Sequence, residues 1–135
     1  SGYISRDINI GMGSDVGGGV SLNPFVTMSE AYKVAKLGGQ VLDPLQLIYW
    51  HTLGGAKAVN QEDFIGSLEP GKWADFCLID ITSDDLGFEV WERSCSIEEK
   101  LFGLMFLLPD STNKVVETYA SGISRWQDAS CLEFV

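Results

Sequence analysis

Apolar and polar positions alternate over Asp7-Ile8-Asn9-Ile10-Gly11-Met12-Gly13, the period of a short strand. The alternation stops at Gly13-Ser14-Asp15-Val16-Gly17-Gly18-Gly19, whose glycines admit backbone angles closed to other residues. From about Pro24 to Leu37 the spacing becomes helical, with Phe25, Met28, Ala31, Tyr32 and Ala35 recurring on one side and Gly38-Gly39 as the stop. A second helix is marked by Asp43 as cap, Pro44 at the first helical position and Gln46 where a capping box has its reciprocal acceptor. Leu45, Ile48, Tyr49 and Leu53 lie along its face; Gly54-Gly55 is expected to interrupt it, with Ala56 to Val59 forming a short further turn of helix.

After Asn60 the pattern becomes extended. Glu69-Pro70-Gly71-Lys72 has the order of a type II turn, and Ala74 to Asp80 reads as a largely buried strand. The acidic run Asp80 to Asp85 reads as a solvated loop. Ser96 to Leu108 reads as a helix whose Ser96, Glu98 and Glu99 suit the positive end of its dipole. Val115 to Ala120 and Ile123 to Trp126 read as a hairpin turning at Ser121-Gly122. The class is α/β, with two regions, 1–64 and 65–135, and no internal repeat or low-complexity linker.

Composition narrows the chemistry. With 135 residues, 45% of them apolar, and a mean hydropathy of +0.08, the chain has the length and composition of one ordered domain. Nine basic against 19 acidic residues give a net charge of -10, which argues against a nucleic-acid partner, since phosphate binding needs clustered Lys and Arg. The longest apolar run, Leu101 to Leu108, contains Gly103 and falls far short of the roughly 20 residues of a membrane helix, so no membrane partner is expected. The opening residues have no basic region leading into an apolar stretch, so no secretory signal is expected there, and a start at Ser1 suits a processed or truncated product. The three cysteines, Cys77, Cys95 and Cys131, cannot all pair internally, which points to a reduced intracellular, cytoplasmic setting. They have no CxxC spacing, and with His51 as the one histidine the chain cannot assemble an ordinary zinc site alone.

The stretch richest in candidate chemistry is Ser14-Asp15 with Gly17, Gly18 and Gly19. A carboxylate at the end of a strand, on a loop with little side-chain bulk, can face a site open to metal and substrate. The alternative is a turn in which the Asp15 side chain bonds nearby amides. Phosphate cradling is excluded, because there is no GxGxxG or P-loop order and Asp15 would repel the ligand. His51, within the apolar Trp50-His51-Thr52-Leu53, reads as a hydrogen-bonded packing residue, and the cysteines as small buried hydrophobes, Cys77 most clearly.

Three strings of residues together resemble the last third of the amidohydrolases: Gly13-Ser14-Asp15-Val16-Gly17-Gly18-Gly19, Thr52-Leu53-Gly54-Gly55-Ala56-Lys57-Ala58, and Ile65 to Phe76 through Glu69-Pro70-Gly71-Lys72-Trp73-Ala74-Asp75. The Asp-Val-Gly-Gly string is narrower and looks like guanine deaminases, and Asn113 to Gly122 resembles their terminal hairpin. The resemblance implies the C-terminal part of a metal-dependent (β/α)8 barrel plus part of a small β-sandwich built from both chain ends. Ile8 to Gly13 would be the last barrel strand, the two helices would close the barrel, and Ala74 to Asp80 with the hairpin would belong to the sandwich. A whole barrel takes about 250 residues, so this chain would supply only its end.

By the same resemblance Asp15 is the last-strand aspartate that contacts the catalytic zinc and its water and shuttles the proton. Gly17, Gly18 and Gly19 would shape the wall of the substrate pocket. Ser14 stands where Thr is more usual and keeps a hydroxyl. The implied reaction is guanine plus water to xanthine plus ammonia, a step of purine catabolism. The family's His-x-His pair, its two further histidines and its acid glutamate would lie upstream of a segment like this one, so the chain by itself is expected to be inactive. The implied partners are a purine substrate, the N-terminal part of the same enzyme and a second copy in a homodimer. Two other readings stay open: an amidohydrolase acting on a triazine or adenosine-like ring, and a non-catalytic interaction domain.

Overall fold

The computed structural model describes residues 8–81, 85–107 and 115–128. Its elements, in order, are α1 (Pro24–Leu37), α2 (Pro44–His51), α3 (Leu53–Ala58), β1 (Phe76–Ile79), α4 (Asp85–Arg93), α5 (Ile97–Leu107), β2 (Val115–Ala120) and β3 (Ile123–Gln127). Both predicted helix starts carry the caps that their sequences call for: Asn23 accepts the amide of Phe25 at 3.0 Å, and Asp43 that of Leu45 at 2.8 Å. Proline occupies the first turn in both, where no intrahelical donor is lost.

The helices share one small core. Met28 from α1, Leu42 from the α1–α2 loop, Leu47 from α2 and Met105 from α5 are buried together, with Met12, Tyr32, Trp50 and Phe106 partly buried around them. Tyr32 meets Phe102 and Phe106 edge-on, at 5.2 and 5.8 Å between ring centroids, a favoured geometry for aromatic pairs. Helix α4 is absent from the sequence-based expectation. Asp85, expected in a solvated loop, begins it, while residues 82–84 lie outside the described residues. Its apolar positions are spaced to pack on α5, where Gly103 gives the Val90 side chain room to approach.

Three strands form an antiparallel sheet in the order β1-β2-β3, with irregular register at Leu78/Ile79 and at Thr118/Tyr119. The hairpin turns at Ser121-Gly122, both at positive φ, as expected from the Gly-containing pair. Phe76 stacks on Tyr119 with centroids 4.5 Å apart. The turn Glu69–Lys72 leads into β1, closed by the Lys72 amide on the Glu69 carbonyl at 3.1 Å with Gly71 at φ 97°. The Ser67 hydroxyl donates to the Glu69 carboxylate at 2.6 Å and Lys72 pairs with it at 2.9 Å, and these contacts, Ser67 first, hold the exposed Glu69 carboxyl below its usual pKa.

Four expectations are corrected. Residues 8–13 form no strand pairing among the described residues; Asp7 lies outside them. A strand needs a neighbour for its ladder bonds, and the described strands pair only β1 with β2 and β2 with β3. The break after α2 falls at Thr52 (φ -120°, ψ -106°), not at Gly54-Gly55, which lie inside α3. Gly54 and Gly55 serve close packing instead: a Cβ on Gly54 would meet the Tyr49 ring at 2.8 Å, and one on Gly11 would meet the Gly55 Cα at 3.0 Å. Strand β1 is half-open rather than largely buried, and Cys77 is exposed, as is Cys95, so neither is a core residue. Both stand as free thiols, and Cys131 lies outside the described residues. Finally, His51 is half-buried, but its Nε2 has no hydrogen-bond partner among the described residues.

Candidate active site

The segment leading to Asp15 is anchored from both sides. Met12 packs on the helical core and donates its amide to the carbonyl of Trp50 at 3.1 Å. Beside it, Gly11 meets Gly55 backbone to backbone. Asp15 follows at φ 49°, the left-handed region that Asp tolerates better than most residues. The turn then folds back on Asp15 itself, whose main-chain carbonyl accepts from the amides of Gly18 and Gly19 at 2.9 and 2.5 Å.

This wiring bears on how the Asp15 side chain is engaged. The turn amides go to its main-chain oxygen, and the exposed carboxylate accepts no hydrogen bond among the described residues. It lies over the backbone of Gly18, where a Cβ would come within 2.6 Å of Oδ2. Gly17 sits at φ 99° with open space around it, and Gly19 is held so tightly that a Cβ would overlap the Ser14 carbonyl. Asp15, Gly17, Gly18 and Gly19 thus share one turn.

No group of three or more His, Cys, Asp or Glu side chains is gathered among the described residues. A zinc site takes about four ligands, and around this turn the described residues bring together at most one oxygen donor, Asp15. That exposed carboxylate, without a hydrogen-bond partner among the described residues and set over a bare Cα, is chemically compatible with donating to a metal.

A second concave feature lies elsewhere. His51, Thr52, Gly55, Ile65, Gly66 and Phe76 help to line a cleft of about 650 Å³ between the α2–α3 break and the start of β1, and Asp15 does not line it. Burial pushes the His51 pKa below its ordinary 6.5. Nothing in the residue pattern points to this cleft, because it arises where distant segments meet; the one local signal is a polar side chain, His51, within an apolar run.

Comparison with known proteins gives the class. The Amidohydrolase family model matches residues 2–118, and the chain belongs to the amidohydrolase family. Within it, the chain is 38% identical over 117 residues to guanine deaminase of Escherichia coli (strain K12), covering 87% of this chain and 26% of that protein. The solved structure of E. coli guanine deaminase superposes with a TM-score of 0.81 at 38% identity, covering 88% of this chain and 27% of that one. A 5-methylthioadenosine/S-adenosylhomocysteine deaminase of Teredinibacter turnerae is 37% identical over 87 residues, 60% of this chain and 19% of that protein. The chain spans about a quarter of the length of the guanine deaminases that it matches. Among the described residues no helix is long and apolar enough to cross a membrane.

Proposed function

We propose that this chain forms the closing part of a guanine deaminase that converts guanine and water to xanthine and ammonia. The observation that carries the reading is the exposed Asp15 carboxylate, held over a glycine turn within a segment 38% identical to a guanine deaminase. Residues 1–64 would close a (β/α)8 barrel and residues 65–135 contribute to a β-sandwich. Residues 8–13 would gain strand pairing from barrel strands outside this chain.

In this reading Asp15 is one ligand of a catalytic zinc, the other ligands coming from the longer protein. Zinc bound there supplies a water whose pKa is lowered towards about 7. With the metal in place, Asp15 would serve as the proton carrier, accepting a proton from the attacking water and passing it to a ring nitrogen or to the leaving amine. Gly17, Gly18 and Gly19 keep the pocket wall free of side chains. The free thiols of Cys77 and Cys95 suit a reducing, cytoplasmic setting, and a homodimer is the proposed assembly.

The test is Asp15→Ala in the full-length protein, with guanine turnover and zinc content measured together. Loss of turnover by at least about 100-fold, with reduced zinc, is expected; wild-type values of both would refute the assignment. A substrate panel decides between ring classes, since equal turnover of an adenosine-like substrate would favour the broader deaminase reading.

A further inference from the structure

Three neighbouring glycines carry three different constraints, and only one of them acts on the Asp15 carboxylate. At Gly17 there is open space, and the sole obstacle to a side chain is φ 99°. A Cβ on Gly19 would lie 1.8 Å from the Ser14 carbonyl oxygen, so a side chain there forces the backbone of the turn apart. A Cβ on Gly18 would lie 2.6 Å from Asp15 Oδ2 and 3.3 Å from its Cγ, a collision with the end of a side chain. Gly18 itself is outside the left-handed region, so alanine meets no backbone strain there.

We propose that Gly18 is a positioning residue for Asp15: its bare Cα leaves the space in which the carboxylate lies and from which it can donate to a metal. The inference rests on the reading of Asp15 as a zinc ligand. Adding one methyl group at residue 18 leaves the Asp15 main-chain carbonyl bonded to the amides of residues 18 and 19, so the turn keeps its shape. The carboxylate alone is displaced, by rotation about its side-chain bonds. A shift of about 1 Å in a reacting group is enough to cost on the order of 100-fold in rate.

The experiment is Gly18→Ala in the full-length zinc-loaded protein, alongside Asp15→Ala. Three quantities are read: zinc retention against a chelator, kcat and KM for guanine, and the melting temperature of the metal-free protein. Expected for Gly18→Ala are zinc retention and kcat both lowered about 10- to 100-fold, with the metal-free melting temperature unchanged. A raised KM with normal zinc retention would make Gly18 only part of the substrate wall and overturn the proposal. A clear drop in the metal-free melting temperature would make it a structural glycine and overturn it too. Wild-type behaviour of Gly18→Ala beside an inactive, zinc-poor Asp15→Ala refutes this inference alone, whereas a fully active Asp15→Ala removes the reading of Asp15 and this inference with it.

Discussion

The Met12 amide and the Trp50 carbonyl meet at 3.1 Å, joining the segment that presents Asp15 to the end of α2. In an unbroken helix that carbonyl would accept the amide four residues on. The break at Thr52 is thus part of how Asp15 is held, since it leaves the Trp50 carbonyl to be filled from outside.

Gly11 is the sensitive point of that junction, because a Cβ there would come within 3.0 Å of the Gly55 Cα. Gly11→Val is expected to push residues 8–13 off α3, costing about 1–3 kcal/mol. Hydrogen exchange checks it directly: the Met12 amide should lose its protection in the variant. Protection equal to wild type would show that the contact does not hold the segment.

Leu47 is fully buried in the four-residue core, and Leu37, at the end of α1, is 89% exposed. Leu47→Ala should lower unfolding free energy by about 2–5 kcal/mol, whereas Leu37→Ala should change it by less than about 0.5 kcal/mol. Urea unfolding of both variants measures the difference, and equal midpoints would mean that the helices do not share this core in solution.

His51 gives the chain a pH dependence of definite sign. Its folded pKa lies below 6.5 because burial disfavours the imidazolium, and its buried Nε2 has no partner among the described residues. As pH falls through about 6.5 the unfolded chain takes up this proton first, so stability declines until the folded form also protonates, and the deficit is constant below that. Replacing the ring by His51→Gln should remove this component. Urea midpoints at about pH 7.5 and about pH 5.5 provide the check, with the drop smaller in the variant than in wild type. The lowered pKa values of Glu69 and Glu98 act in a separate window at lower pH, where stability is lost as those carboxylates protonate.

Local chemistry is what the sequence made readable. Asn23, Asp43 and Pro44 set helix starts through bonds to residues one or two places away, and Gly71 and Ser121-Gly122 set turns through their own backbone angles. Residues 8–13 carry a strand's alternation, yet strand structure requires a neighbour, and periodicity reports only one side of that bargain. Cys77 has apolar neighbours, but it and the adjacent Leu78 are both exposed, so apolar composition alone does not report burial in this strand. Around Asp15, the turn could be read because glycine and aspartate report backbone constraints in their identities. The His51 cleft could not, because it depends on how residues 51–59 and 65–77 come together.

The smallness of the helical core has a calorimetric consequence. Among the described residues, Val34, Leu37, Val41, Leu68 and Trp73 are large apolar residues left on the surface, 56–89% exposed. Heat-capacity change tracks apolar area newly wetted on unfolding. Much of that area is wet already, so melting this chain alone should show a heat-capacity step well below the about 1.6–2.0 kcal/mol/K ordinary for 135 residues. Its stability curve is correspondingly flat, varying little with temperature on either side of its maximum.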